Sequence, residues 1–115
     1  MATINVIGTL TLNGEINSKG SDYTFYSSHI ISGGGSGGGI NITTGNIEGS
    51  TGSISAKGGE GVNGNRNSGS GGGGRVHIGY TVDSYTGSIV SLPIDVNGGT
   101  GGQNPGLPGS INIVP

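Results

Sequence analysis

Two runs of glycine, each leading directly into a short alternating strand, constrain the fold of this chain more than any other sequence feature. Residues 33–39 contain six glycines and precede Ile40-Asn41-Ile42-Thr43, and residues 71–74 are all glycine and precede Arg75-Val76-His77-Ile78. A looser copy at residues 108–110 precedes Ile111-Asn112-Ile113-Val114. Short β-branched runs bounded by glycine turns predict strands, and nothing in the chain has the period of a helix.

The strands recur with a nearly fixed period. Ile4 to Ile40 is 36 residues, Ile40 to Val76 is 36, and Val76 to Ile111 is 35. Such a period is typical of architectures whose units are too small to bury an apolar face alone and therefore stack. It predicts a single domain over 1–115, with coils at about 4–39, 40–75 and 76–110 and a closing strand at 111–114.

The composition favours an ordered backbone ladder with a thin core. Glycine makes up 29 of the 115 residues, several times its average share. The formal net charge is only -2, and the β-branched residues recur in register, whereas disordered chains have high net charge and few such residues. We expect the glycines to bring bare backbone into close contact with neighbouring segments, with a flexible linker as the alternative.

The predicted fold is all-β, a parallel β-helix or β-solenoid of about three 36-residue coils with glycine-rich returns. The alternative is a sandwich of glycine ribbons in the polyproline-II conformation. The inward ladders predicted from the alternation are Ile4, Ile40, Val76, Ile111 and Val6, Ile42, Ile78, Ile113, with Asn5, Asn41, His77 and Asn112 as an outward column. Two further ladders are expected from Ile16, Ile54 and Ile89, and from Leu10 or Leu12, Ile47 and Val82.

The glycine phrases also carry a family resemblance. Residues 34–42, 52–61 and 72–76 resemble the glycine-rich repeats of secreted and cell-surface parallel β-helix proteins, including adhesin-like ones. The resemblance implies export and a role in an adhesin, surface fibre or stalk. The segment Leu92-Pro93-Ile94-Asp95 departs from the pattern as an insertion in the third coil.

Several function classes find no support in the sequence. Four scattered basic residues give no footprint for nucleic acid, and no apolar run is long enough to span a membrane. The six acids fall at different phases of the period, so we expect no enzyme and no catalytic residue. His29 and His77 lack ligand partners at metal-site spacing, and the Gly-Gly-x-Gly turns lack the aspartates of calcium-binding repeats. We therefore expect neither a metal nor a cofactor.

An aromatic segment is the first candidate site. Tyr23, Phe25 and Tyr26 are three of the five aromatic residues and lie together near His29 in a variable excursion of the first coil. If exposed, they suit stacking on sugars or contact with another subunit. The alternative, which we favour, is that this segment folds back as a cap or an additional core layer.

The two ends of the chain are the second candidate site, for self-association. Ile111-Asn112-Ile113-Val114 nearly repeats Ile4-Asn5-Val6-Ile7. An uncapped end leaves unpaired backbone groups that attract another chain, so we expect the last coil of one subunit to stack head-to-tail on the first coil of the next. The residues assigned to this contact are Ile4, Asn5, Val6, Ile111, Asn112, Ile113 and Val114.

Two functions follow as hypotheses. The first is a structural subunit of an extracellular fibre or surface assembly, that is, a homo-oligomer or filament at the cell surface. The second is an adhesin or phage-fibre tip module whose variable loops bind a glycan or a cell-surface receptor.

Overall fold

A computed structural model describes residues 1–27, 30–63 and 68–115, and for Phe25, Tyr26, Ser27 and Ile30 it describes the backbone alone. The strands are β1 (Ala2–Thr11), β2 (Glu15–Asn17), β3 (Phe25–Ser27), β4 (Ile30–Ile31), β5 (Gly39–Gly49), β6 (Ser53–Ser55), β7 (Arg75–Tyr85), β8 (Ile94–Asp95) and β9 (Ser110–Val114). One 3-10 turn, Ile89–Ser91, lies between β7 and β8.

The strands form two separate parallel sheets. The larger has four strands in the order β1-β5-β7-β9, and the smaller has three in the order β2-β6-β8. A third, antiparallel pair joins β3 to β4. The prediction of a β-solenoid, or parallel β-helix, of about three coils is therefore wrong, because the strands form a small domain with two parallel sheets of four and three strands. The domain has almost no helix.

The polyproline-II alternative does not describe the fold either, since the apolar core is built by the two β-sheets. One buried cluster combines Ile40, Ile42, Val76 and Ile78 of the larger sheet with Ile54 of the smaller. Burying an aliphatic side chain of this size contributes about 2 kcal/mol. Leu12, Ile47, Ala56, Tyr85, Ile89 and Leu92 complete the cluster. The glycine segments form a separate part of the molecule, described below.

The pairing of β5, β7 and β9 follows the predicted period. Ile40 pairs with Val76 and Val76 with Ile111, while Asn41, His77 and Asn112 lie side by side as predicted. The partners predicted from β1 are wrong by two residues. Ala2, not Ile4, lies opposite Ile40, and Thr3, not Asn5, lies opposite Asn41. A slip of two residues keeps the same side chains facing the core, so the alternation alone does not detect it.

The other two predicted ladders are each wrong at their third member. Ile16 pairs with Ile54 as expected, but Ile54 then pairs with Ile94, because Ile89 lies in the 3-10 turn, where it is buried. Leu10 pairs with Ile47.

The third member of the ladder formed by Leu10 and Ile47 is Asp83, which pairs with Ile47 in place of the predicted Val82. The Asp83 carboxylate accepts hydrogen bonds from the N–H of Ile89 at 2.9 Å, from the Ser88 hydroxyl at 2.8 Å and from the N–H of Tyr85 at 3.1 Å. Gly87 and Ser88 have positive φ in this turn. The acid therefore replaces an aliphatic residue because it closes the turn that ends β7.

Beyond the sheets, the glycine segments lie side by side without forming strands. They comprise residues 18–24, 32–38, 56–63, 68–74, 96–101 and 105–109. A chain of backbone hydrogen bonds crosses them. Gly35 donates to Ser21, Gly59 to Gly35, Gly71 to Gly59, Gly99 to Gly71 and Gly106 to Gly99, at 2.7 to 3.0 Å.

The close approach of these segments requires glycine. A Cβ added at Gly59, Gly71, Gly99 or Gly106 would overlap a carbonyl oxygen of the neighbouring segment. Bare Cα–H groups therefore face those oxygens, a contact that also recurs between β-strands. Gly71 shows the pattern. Its N–H donates a hydrogen bond to the Gly59 carbonyl, its carbonyl accepts one from the N–H of Gly99, and its Cα faces the Gly35 carbonyl. These close contacts do not fit the alternative prediction that the glycines form a flexible linker.

Candidate functional site

The outer edge of β1 is the longest unpaired strand edge among the described residues. The strand has 10 residues, it pairs with β5 on one side, and no strand follows it on the other. It contains no charged residue and no proline, and its one irregularity lies between Val6 and Thr9. Native edge strands are usually protected by charge, proline, bulges or short length. Apart from the irregularity between Val6 and Thr9, the β1 edge lacks these protections, so it is suited to pair with another strand.

At the opposite side of the same sheet, β9 presents a second edge. It consists of Ser110–Val114, pairs with the first half of β7 and also lacks charge and proline. Ile111 is 45% exposed and Val114 is 37% exposed, while Ile113 is half-buried against the core. The two edges are separated by three strand spacings, about 14 Å, and they face away from each other.

The smaller sheet differs from the larger one at its edges. Its edge strands are β2, with Glu15, and β8, which has two residues, includes Asp95 and follows Pro93. These are features that prevent edge pairing. The edges of the larger sheet lack the charges and the proline found at the edges of the smaller sheet, so the larger sheet is the better candidate for pairing with another chain.

The residues predicted for self-association divide between the two edges of the larger sheet. Ile4 and Val6 of β1 are half-buried, and Asn5 is exposed. Asn112 of β9 is exposed, and its Nδ2 lies 3.1 Å from Nδ1 of His77. The β1 and β9 residues thus lie at opposite edges of one parallel sheet, which is the arrangement that a head-to-tail contact requires.

The predicted aromatic site is only partly described. Tyr23 is half-buried, and its backbone N–H donates to the carbonyl of Glu60 at 2.9 Å. Phe25 and Tyr26 lie in β3 of the antiparallel pair, and His29 lies outside the described residues. Whether these side chains form a patch or a cap therefore stays a prediction.

A carboxylate clasp that the sequence reasoning missed joins the glycine segments. Glu60 Oε2 accepts hydrogen bonds from the N–H groups of Thr100 and Gly101, both at 2.7 Å, and from the Thr100 hydroxyl at 2.9 Å. Its Oε1 lies 2.9 Å from Nζ of Lys57. In the segment at residues 18–24, Asp22 accepts from the N–H of Glu60 at 2.9 Å. Asp22 thus binds the backbone of segment 56–63, and Glu60 binds the backbone of segment 96–101.

A signal for this clasp was present in the sequence. Lys19 and Asp22 are three residues apart, and so are Lys57 and Glu60, each pair directly in a glycine segment. Both pairs are ion pairs in the structure, with Nζ of Lys19 3.1 Å from Asp22. The repeated spacing of lysine and acid indicates a structural role for both pairs. Comparing the positions of the acids within the 36-residue period did not reveal this role.

The electrostatics of the clasp keep its acids ionised. The hydrogen bond from Lys57 is the largest of the effects that lower the pKa of Glu60 to about 2, followed by those from Thr100 and Gly101. The N–H of Glu60, and then Lys19, hold the pKa of Asp22 below its ordinary value. The same contact with Glu60 raises the pKa of Lys57. Charged donors and acceptors strengthen such hydrogen bonds.

The clasp lies where the variable excursions leave the glycine segments. Tyr23, Glu60 and Thr100 occupy neighbouring positions in three of these segments, and the excursions at residues 24–31, 62–68 and 102–105 begin within two residues of them. The described residues from which the three excursions start therefore lie next to one another, and we call this region the excursion end.

No group of three or more His, Cys, Asp or Glu residues that could hold a metal ion is present among residues 1–27, 30–63 and 68–115. In the same part of the chain no helix is both long and apolar enough to cross a membrane. A comparison with known protein families found no match, and neither a curated protein nor a solved structure matches this chain.

Proposed function

We propose that this chain is a structural subunit of an extracellular fibre or surface assembly, and that copies associate head-to-tail through the edges of the four-stranded sheet. The observation that carries the proposal is the long, uncharged, proline-free outer edge of β1, with β9 exposed at the opposite edge. A heterologous contact of this kind repeats without closing and so builds a filament. The location outside the cell is part of the proposal.

Both edges run parallel within one sheet, which sets the polarity of the contact. Ala2, Ile40, Val76 and Ile111 lie at one level of the sheet. A second copy placed beside the sheet with its strands in the same direction therefore continues the same order of pairs. Sheet edges bury few side chains, so backbone hydrogen bonds supply most of the contact.

Electron microscopy and sedimentation of the purified chain over a range of concentrations test this function. The expected result is filaments or a ladder of oligomers that lengthens with concentration. Asn5→Lys places a charge on the exposed face of β1 at the edge and is expected to reduce the association at least tenfold, because charge on an edge strand opposes pairing.

A matched control lies on the neighbouring strand. Thr43 pairs with Asn5 and is also exposed, but β5 is already paired on both sides. Thr43→Lys is therefore expected to associate like the wild type. A wild-type chain that stays monomeric at every concentration would contradict the proposed function.

The excursion end favours a second candidate function, that of a binding tip for glycans or a cell-surface receptor. The supporting observation is that three excursions of different sequence start from neighbouring positions, where the clasp joins Asp22, Glu60 and Thr100. Replacing residues 24–31 by a Gly/Ser linker tests this candidate. The candidate is supported if the wild type binds a glycan array and the variant does not, while the far-UV circular dichroism spectrum is unchanged. Absence of wild-type binding to both glycans and cells counts against it.

A further inference from the structure

The glycine segments form two layers, and hydrogen bonds connect equivalent positions within each layer. The first layer contains segments 18–24, 56–63 and 96–101, and the second contains segments 32–38, 68–74 and 105–109. In both layers, N–H groups of one segment donate to carbonyls of the segment that follows it in the layer. The residues at these donor positions therefore decide whether another segment can be added.

In the second layer, one series of donors stops at a proline. Gly37 donates to the carbonyl of Gly72 at 2.8 Å. Gly73, the residue after this acceptor, donates in turn to Leu107 at 2.8 Å. The residue after Leu107 is Pro108, which has no N–H group and cannot continue the series.

A second series of donors in the same layer stops in the same way. Gly34 donates to Gly69 at 3.0 Å, and Ser70, the residue after this acceptor, donates to Asn104 at 3.0 Å. The residue after Asn104 is Pro105. Proline thus occupies both donor positions of this segment, and a missing donor is the reason why proline opposes pairing at the edge of a sheet.

The first layer is blocked on its opposite flank by a side chain. A Cβ added at Gly99 would overlap the carbonyl oxygen of Gly59, and a Cβ added at Gly59 would overlap that of Ser21. Ser21 holds the equivalent position in its own segment, and it carries a Cβ. A segment placed against Ser21 at the same spacing would therefore overlap this Cβ, so it cannot pack as closely as the glycine segments do.

On its other flank the first layer still offers a donor. Gly58 donates to Asn97 at 2.9 Å, and the residue after Asn97 is Gly98. The N–H of Gly98 donates to no group among the described residues. A second copy that accepted this hydrogen bond in the same register would bring the Cβ of its Ser21 onto the carbonyl of Gly99.

We infer that Ser21, Pro105 and Pro108 cap the glycine segments against a second copy, so that copies join through the β-sheets alone. This inference rests on the proposed function and specifies which part of the molecule makes its contact. The three residues act on a neighbouring segment in the same way whether it belongs to the same chain or to another copy. By contrast, β1 contains neither charge nor proline. The glycine segments of neighbouring copies therefore stay apart, and the excursion end of each copy stays uncovered.

Removing the caps tests the inference through a gain of association. The variant Ser21→Gly/Pro105→Ala/Pro108→Ala, which we call the uncapped variant, removes the obstructing Cβ and supplies two N–H groups. We expect it to associate at a concentration at least tenfold lower than the wild type, because backbone hydrogen bonds of the glycine segments then add to the contact. Sedimentation velocity over a concentration series is the measurement.

The control variant is Ser50→Gly/Leu107→Ala, which changes an exposed serine outside the glycine segments and a side chain that is 79% exposed. It is expected to associate like the wild type. Circular dichroism of each variant identifies a fold that has been lost. Ser21→Gly alone, at an exposed side chain, is expected to show a smaller gain of association and serves if the uncapped variant does not fold.

Amide hydrogen exchange at Gly98 shows directly whether the glycine segments take part in the contact. In wild-type assemblies the N–H of Gly98 is expected to exchange at the same rate as in the monomer. In assemblies of the uncapped variant it is expected to exchange at least tenfold more slowly, because a carbonyl of the second copy can then accept its hydrogen bond. Slower exchange at Gly98 in wild-type assemblies would overturn the inference.

The association measurements separate the inference from the proposed function. If the uncapped variant associates no better than the wild type, the three residues are not caps, whereas the proposed function stands as long as the wild type associates. If the wild type stays monomeric at every concentration, the proposed function fails, and the caps are supported only if the uncapped variant associates. If neither protein associates, both are wrong.

Discussion

The two halves of this molecule are held together in different ways. In the β-sheet half, Ile42, Val76 and Ile78 are fully buried and supply the apolar contacts of an ordinary core. In the glycine half, backbone hydrogen bonds join six segments that approach too closely for side chains. A chain with few apolar residues can therefore stay ordered when its glycines let backbone segments pack closely and form hydrogen bonds with one another.

The largest expected effect tests the β-sheet half. Ile78→Ala removes a fully buried side chain and leaves a cavity, which is expected to lower the free energy of unfolding by about 4 kcal/mol. Val90→Ala, at a side chain that is 75% exposed, is the control and is expected to change it by less than about 0.5 kcal/mol. Equal losses for both, measured by chemical denaturation, would mean that this cluster does not stabilise the fold.

The second prediction tests the glycine half by adding one methyl group. Gly71→Ala forces a Cβ onto the Gly35 carbonyl and is expected to cost about 3 kcal/mol or more. Gly72→Ala is the matched control, since the nearest atom to its Cβ is the Leu107 oxygen at 3.6 Å, an ordinary contact. Thermal unfolding of the two variants is the measurement. A Gly71→Ala protein as stable as Gly72→Ala would show that the segments are not closely packed.

The third prediction concerns a buried hydrogen bond of the sheet half. The N–H of Gly52 donates to the Tyr85 hydroxyl at 2.9 Å inside the core. Tyr85→Phe leaves that N–H without its acceptor and is expected to cost about 1–2 kcal/mol by chemical denaturation. Tyr80→Phe, at a half-buried tyrosine, is the comparison and is expected to cost less. The opposite ranking would contradict this assignment.

The smallest effect concerns the clasp of the glycine half. Because the pKa of Glu60 falls from an ordinary 4.5 to about 2 on folding, its ionised form stabilises the fold fully above pH 4.5. That contribution is lost as the pH drops from 4.5 through 2. We expect the melting temperature of the wild type to fall in this range and Glu60→Gln to flatten the fall. An unchanged acid profile in Glu60→Gln would exclude the clasp as its cause.

The sequence predicted that β5 pairs with β7 and β7 with β9, but not the pairing of β6 with β8 or the division of the strands into two parallel sheets. The period placed Ile40, Val76 and Ile111 together because parallel strands in register repeat the same apolar pattern. It could not detect the two-residue slip of β1, since Ile4 faces the core in either register. Nor could it show that the glycine segments lie outside the sheets, because their hydrogen bonds depend on contacts between distant segments.

The candidate site was predictable to a similar degree. The likeness of residues 4–7 to residues 111–114 pointed to the two edges of the larger sheet. The repeated spacing of Lys19 with Asp22 and of Lys57 with Glu60 was a signal for the clasp, but the backbone partners of Glu60 at Thr100 and Gly101 could not be read from the sequence. The turn insertion around Ile89 displaced the third ladder, because local hydrogen bonds to Asp83 took precedence over the period.

Amide hydrogen exchange, followed residue by residue by NMR, tests the central claim that the glycine half is as ordered as the sheet half. The N–H groups of Gly59, Gly71 and Gly99, which bridge the segments, are predicted to exchange as slowly as those of Ile42 and Ile78. If the three glycine amides exchange at the rate of an unfolded chain while the strand amides stay protected, the account of the glycine half is wrong.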